Sequence, residues 1–161
     1  MITKTTKYNE KILKEFLKFN SKKYSWIMLI CGGLIIISGV LLIWLVSILS
    51  GILSIIVGIF LAVYPQIMLM SSINDNKRML NAEEVYEFDE EQVHIVSTIL
   101  GEEMANTYVK YSSFEDVKES ADYVYIYTSK TNAIILEKSN MTEKEYKFII
   151  KTVNKALEKK K

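Results

Sequence analysis

The chain has 161 residues, with 20 basic and 19 acidic side chains, a net charge of +1, one cysteine and one histidine. A single cysteine excludes an intrachain disulfide framework, and one cysteine with one histidine cannot complete a zinc site within one chain. We therefore expect neither a metal nor a cofactor.

The first 23 residues are basic, with seven lysines against two glutamates. Residues 2–7 can form a short strand. From Asn9 to Lys23, lysines recur every three or four residues and apolar side chains fill the opposite side, which predicts an amphipathic helix with Asn9 as its N-cap. Two placements stay open for this helix: in the lipid headgroup layer, or packed on a folded domain with its lysines in water.

Residues 24–74 contain no Asp, Glu, Lys, Arg or His. Because about 20 apolar residues cross a bilayer as a helix, this stretch predicts a hairpin of two membrane spans, at about 26–46 and 48–70, joined by a very short turn. Two core helices of a soluble protein and a cleaved signal peptide are less favoured alternatives.

Small residues should pack the two spans together, while lysines and aromatic side chains should lie at the membrane interface. The predicted packing residues are Gly32, Gly39, Ser50, Ser54, Gly58 and Ala62, and the predicted interface residues are Lys7, Lys11, Lys14, Lys18, Lys22, Lys23, Trp26 and Tyr64. The lipid bilayer is therefore the first expected partner.

Charges next to the spans predict their orientation. Lysines precede the first span, Lys77 and Arg78 follow the second, and the intervening turn is uncharged, so both termini should be cytoplasmic. A single arginine among 20 basic residues is typical of AT-rich bacterial genomes. We expect a multi-pass protein of a bacterial cell membrane, whose uncharged spans serve as an anchor and not as a transport path.

Residues 75–161 alternate short strand-like segments with turn residues and end in a helix. Thr142-Glu143-Lys144-Glu145 is a capping box that starts an amphipathic helix over 142–158. We predict five or six antiparallel strands in one small bent sheet closed by this helix, and the fold class is an α+β membrane protein. With 13 basic and 17 acidic residues this region has a charge of −4, which argues against nucleic acid and against anionic headgroups as ligands.

Tyrosines and carboxylates are the side chains to consider for function in this region. Tyr123, Tyr125 and Tyr127 share one face of a predicted strand, so they form either core or a partner-binding face. Acidic pairs such as Glu90-Glu91 are sequence neighbours without the shared geometry of catalytic carboxylates, and His94 has no acid or nucleophile at motif spacing. We expect no enzyme and no small-molecule substrate.

Three runs in this region carry a family resemblance: KYSSFEDVKE at 110–119, DYVYIYTSK at 122–130 and AIILEK at 133–138. They resemble the carboxy-terminal domain of YcxB-like bacterial membrane proteins. The resemblance implies a short polar start, two adjacent spans and a cytoplasmic pleckstrin-homology-like domain, and it brings no catalytic residues. Glu137-Lys138 replaces a frequent Pro-Lys of the family, and Met141 replaces an aromatic residue.

The preferred functional hypothesis is a non-enzymatic binding module that the hairpin holds at the inner membrane face, where an open sheet edge engages either another protein or a second copy. One alternative is a membrane-protective or self-immunity factor against membrane-active peptides or envelope stress. Another is a regulatory subunit of a larger membrane complex.

Overall fold

The structure is a computed structural model that describes residues 1–160, and at residue 78 it describes the backbone alone. The chain divides into two compact units. Residues 10–78 form a helical unit. Residues 1–9 and 79–160 form a β-rich unit, so the segment before the helices and the segment after them fold together.

The helical unit is a pair of long apolar helices, α1 (Glu10–Leu45) and α2 (Ile48–Asp75). Both are long and apolar enough to cross a membrane, by length and composition. A turn at residues 46 and 47 joins them, and the N–H groups of Val46 and Ser47 both donate to the Leu42 carbonyl oxygen, at 2.9 and 3.0 Å. The prediction of two adjacent long apolar helices is confirmed, with α1 continuing from the basic segment without a break.

Glycines bring the two helices into close contact. A Cβ atom added at Gly32 would lie 2.7 Å from the Gly58 carbonyl oxygen, and one at Gly39 would lie 2.9 Å from the Gly51 carbonyl oxygen. Only a residue without a side chain fits where two backbones approach this closely. The contacts pair residue 32 with 58 and residue 39 with 51, so the helices run antiparallel.

The β-rich unit contains two antiparallel sheets. The first sheet has the order β1-β2-β3-β4, and the second has the order β5-β6-β7. The strands are β1 (Ile2–Lys7), β2 (Ala82–Phe88), β3 (Gln92–Ile99), β4 (Glu102–Lys110), β5 (Asp116–Glu119), β6 (Tyr123–Tyr127) and β7 (Ala133–Glu137), and α3 (Glu143–Glu158) follows them.

Strand β1 lies before both long helices in sequence, yet it pairs with β2, which lies after them. At the end of this ladder the Tyr8 N–H donates to the Ala82 carbonyl oxygen at 2.8 Å, and the Asn81 N–H donates to the Tyr8 carbonyl oxygen at 3.0 Å. Residue 81 has a φ of 73°, a conformation that asparagine tolerates better than most side chains. The folded β-rich unit therefore begins at the N-terminal strand and not at residue 75.

The core lies between the two sheets and α3. It is a continuous apolar cluster formed by Tyr86, Phe88, Val93, Tyr111, Phe114, Val124, Ile126, Ile134, Leu136, Ile149 and Val153. Strand β1 also bridges to the second sheet, because the Thr6 hydroxyl donates to the Ile135 carbonyl oxygen at 2.6 Å. Lys4 reaches α3, where its Nζ lies 2.8 Å from Glu145 Oε1.

The α+β class, the antiparallel sheets and the C-terminal helix are confirmed. So is the capping box, in which the Glu145 N–H donates to Thr142 Oγ1 and the Thr142 N–H donates to Glu145 Oε2. The short strand at residues 2–7 and the five or six strands after the long helices are also confirmed, since β1 covers Ile2–Lys7 and six strands follow α2. The prediction of one bent sheet is wrong, because the strands form two sheets. A 3-10 turn at Tyr111–Ser113, with Phe114 buried behind it, ends β4 and separates the sheets.

Candidate functional site

Strand β4 is the open edge of the first sheet. Among the described residues its only strand neighbour is β3, and every residue from Glu102 to Lys110 is exposed except Val109, which is half-buried. Three apolar side chains are among the exposed ones: Leu100 in the preceding turn at 86%, Met104 at 63% and Tyr108 at 62%. An edge strand of nine residues with this exposure offers its outer backbone groups to another strand.

Charge is confined to the two ends of β4. Glu102 and Glu103 begin the strand, Lys110 ends it, and the six residues from Met104 to Val109 carry no charge. Edge strands that avoid pairing usually carry charges, a proline or an inward-pointing lysine in their middle. The middle of β4 has none of these, although a bulge interrupts its ladder with β3 between Ser97 and Thr98.

A cross-strand cluster centred on His94 lies on the outer face of the first sheet, the face opposite the core. Glu87 on β2, His94 on β3 and Tyr108 on β4 are register partners. His94 Nδ1 lies 2.9 Å from Glu87 Oε2 and its Nε2 lies 2.7 Å from Asn106 Oδ1. The Tyr108 ring stacks on the imidazole with centroids 4.3 Å apart and an interplanar angle of 10°.

This cluster favours the protonated imidazole, because oxygen acceptors face both ring nitrogens. The hydrogen bond with Glu87, followed by that with Asn106, raises the pKa of His94 above its ordinary value. The contribution of this cluster to stability is therefore complete below the ordinary pKa of histidine and is lost as the pH rises through the raised pKa. Because Asn106 lies on β4, the imidazole that titrates is in direct contact with the open edge strand.

We expect Glu87→Gln to lower the pKa of His94 toward its ordinary value, because the substitution removes the carboxylate that stabilises the imidazolium. The measurement is an NMR titration of the imidazole, which needs no assignment because the chain has one histidine. Glu83→Gln is the matched control on the same strand, since Glu83 pairs with Lys7 and not with His94. An unchanged His94 titration in Glu87→Gln contradicts the described cluster.

The tyrosine row of β6 is buried. Tyr123, Tyr125 and Tyr127 are each exposed by 3% or less, and their neighbours Val124 and Ile126 belong to the core cluster. Both faces of β6 are therefore covered, which agrees with the core interpretation of this row. The partner-binding interpretation is corrected, because these side chains present no open face.

The predicted helix-packing residues divide into two groups. Gly32, Gly39 and Gly58 lie at the closest approach of α1 and α2, and Ala62 lies beside Gly32. Ser50 and Ser54 are half-buried, and the Ser50 hydroxyl donates to the Ser47 carbonyl oxygen of its own helix at 3.0 Å. Gly51, which was not predicted, faces Gly39. The glycine spacing of seven in both helices was the signal that would have found it.

The predicted membrane-interface residues also fall in two places. Lys11, Lys14, Lys18, Lys22 and Lys23 are exposed on the first part of α1, and Trp26 is exposed on the same helix. Tyr64 lies on α2, where its ring is 5.8 Å from that of Phe60. Lys7 is not helical: it ends β1, and its Nζ lies 3.3 Å from Glu83 Oε2.

The sequence predicts short antiparallel strands in this region and an open sheet edge, but it does not predict which strand lies at that edge. Strand β4 lies at an edge because β1 joins β2 on the other side of the sheet and β5 belongs to the second sheet, and no local pattern encodes these pairings. The alternation of Asn106 and Tyr108 opposite His94 was the available signal, because residues two apart lie on the same face of a strand.

Together these features define an α+β protein with two long apolar helices and a small two-sheet unit that presents an open edge strand. A family model described as YcxB-like protein matches residues 88–153, from the end of β2 into α3. This match confirms, over residues 88–153, the resemblance to the YcxB-like family seen in the sequence. No curated protein and no solved structure matches the chain significantly.

Proposed function

We propose that this protein is a non-enzymatic, membrane-anchored binding module that engages an extended protein segment along the open edge of β4. The observation that carries the proposal is the exposure of this nine-residue strand together with its uncharged middle. Unpaired backbone N–H and C=O groups give a strand-addition site its affinity, and the alternating side chains give it selectivity. The family description names no reaction and no ligand, so no activity is transferred from it.

Membrane anchoring is supported by the outer surface of the helical unit. Only 11% of the most apolar window of α1 and 17% of that of α2 is buried within the chain. Core helices of a soluble protein would be mostly buried, whereas apolar side chains such as Leu34, Ile37 and Phe60 are more than half exposed. An apolar surface of this size is stable in hydrocarbon and unstable in water.

The topology of the chain supports an even number of membrane crossings. Strand β1 precedes α1 and strand β2 follows α2, and the two are hydrogen-bonded neighbours in one sheet. This pairing supports placing both ends of the helical unit on the same side of the membrane. The lysine-rich segment before residue 24 favours the cytoplasm as that side, because basic residues are retained there.

The strand arrangement also supports a pleckstrin-homology-like fold for the β-rich unit. A four-stranded and a three-stranded antiparallel sheet enclose one core, and a C-terminal helix closes it. In this interpretation the membrane hairpin is an insertion between the first two strands. Such a fold can host many functions, so the binding proposal depends on β4 and not on the fold.

Photo-cross-linking in intact cells tests the proposal. A photoreactive phenylalanine analogue in place of Tyr108, which is exposed on β4, should give a discrete protein adduct in the carbonate-resistant membrane fraction. The matched control carries the same analogue at Lys151, an exposed position on α3, and should give no adduct of that size. Equal labelling from both positions, no adduct from position 108, or a protein that carbonate releases from the membrane would each overturn the proposal.

A further inference from the structure

We infer that the segment which completes the β4 edge is β4 of a second copy of this chain, paired antiparallel about a two-fold axis at Asn106. The inference rests on the proposed function, because it identifies the partner of the same edge. This pairing of two β4 strands joins the four-stranded sheets of the two copies into one continuous sheet of eight strands. Three properties of β4 support this pairing: its charges, its centre and its length.

The charge pattern of β4 is complementary to itself. Glu102 and Glu103 precede the uncharged middle, and Lys110 follows it. When two such strands run antiparallel about Asn106, the lysine of each copy lies beside the two glutamates of the other. Cross-strand neighbours of opposite charge stabilise a pair of strands, and a parallel arrangement would instead place like charges together. No ion pair within residues 1–160 involves any of these three side chains.

The centre of β4 suits a two-fold axis. Asn106 faces its own counterpart there, and a carboxamide can both donate and accept, so two copies satisfy each other. Asn106 Oδ1 accepts from His94 with one lone pair, so its second lone pair and the N–H groups of Nδ2 are available for the other copy. Ala105 lies beside Thr107 of the other copy, and these small side chains allow close approach. Met104 lies near Tyr108, a favourable thioether–aromatic pair.

The length and regularity of the strand fit this register. The β3–β4 ladder is regular from Ala105 to Lys110, so the axis lies within regular strand, and the bulge residue Met104 lies to one side of it. An isologous pair uses the same edge on both chains. After pairing, neither β4 has a free edge, so association through β4 ends at a dimer.

Charge exchange in the full-length chain tests this register. The Glu102→Lys/Glu103→Lys variant places lysines against Lys110, and Lys110→Glu places glutamates against Glu102 and Glu103. Each variant alone should self-associate about tenfold more weakly than the unchanged chain, because every end contact becomes repulsive. The two variants mixed should associate with each other about as well as unchanged chains do, since all their end contacts are again of opposite charge.

The measurement is energy transfer between differently labelled full-length copies in lipid nanodiscs or detergent micelles as a function of protein concentration. Glu115→Lys/Glu158→Lys is the control for Glu102→Lys/Glu103→Lys, because it changes the net charge by the same amount at exposed positions away from β4 and should leave self-association unchanged. Thermal unfolding of each variant separates loss of association from loss of fold. Weakening in both single variants with recovery in the mixture supports the inference.

Other outcomes separate the two proposals. If the mixed variants associate no better than either variant alone, or if the unchanged chain does not self-associate, the inference is overturned. The cross-linked adduct from position 108 then shows whether the proposed binding function still holds. An adduct of two chains of 18.6 kDa supports the second copy, an adduct only with a different protein overturns the inference while the binding module stands, and no adduct overturns both.

Discussion

Replacing Gly32 with valine is expected to separate α1 from α2 and to destabilise the helical unit by about 3 kcal/mol. The first side-chain carbon would lie 2.7 Å from the Gly58 carbonyl oxygen, 3.0 Å from the Ala62 nitrogen and 3.2 Å from the Ala62 Cβ. Two of these three atoms belong to the backbone of α2, which cannot move aside without moving the helix. Helix pairs in lipid depend on such close contact, since apolar burial alone does not drive their association.

Gly33→Val is the matched control, because a Cβ atom at Gly33 would meet nothing within 4 Å. The two variants have the same composition and differ by one position in the same helix. Stability is measured by SDS-induced unfolding in mixed micelles, with energy transfer between dyes on Lys23→Cys and Gln66→Cys in a Cys31→Ser background. Equal loss of stability in the two valine variants would show that α1 and α2 do not pack through the described glycines.

Replacing Tyr125 with alanine is expected to destabilise the β-rich unit by about 3–5 kcal/mol, the usual cost of removing a fully buried aromatic side chain. Tyr125 is 1% exposed and lies in the middle of β6, between β5 and β7. Much of the stability of a small unit would be lost, because domains of this size are stable by about 5–15 kcal/mol in total. The measurement is pulse proteolysis of the full chain in detergent at increasing urea concentration.

Tyr108→Ala provides the comparison for this second prediction. Tyr108 is 62% exposed and its ring stacks on His94, so the loss of its side chain should cost less than about 1 kcal/mol. The Tyr108→Ala variant should therefore remain folded and should bind more weakly along β4. Similar urea midpoints for the Tyr125 and Tyr108 variants would contradict the burial described for β6.

Local patterns in the sequence predict much of this fold. The absence of charge over 24–74 predicts the two apolar helices, and the spacing of Thr142 and Glu145 predicts how α3 begins, because both features depend on residues close together in sequence. The packing role of Gly32 and Gly39 is also predicted from the sequence, because a spacing of seven residues places both on one face of a helix.

Long-range pairing explains what the sequence does not predict. The alternation in β6 allows a tyrosine face to be either core or surface, and only the packing of other elements decides that it is buried. The open edge of β4 depends on two other strand pairings, because β1 joins β2 on the other side of the sheet and β5 pairs within the second sheet. One bent sheet and two packed sheets also share the same strand pattern, and the turn at Tyr111–Ser113 that separates them has no strong local signature.

The pairing of β1 with β2 has a consequence during synthesis on the ribosome. Lys7 and Glu83 are register partners 76 positions apart, so β1 is made first and must wait until both helices and β2 have been translated. At about 5–20 residues per second this wait lasts roughly 4–15 s. An unpaired strand risks aggregation, but β1 has the sequence ITKTTK, in which threonines and lysines keep it hydrated. The nascent chain can therefore hold its first strand in water until the hairpin is complete and the sheet can close.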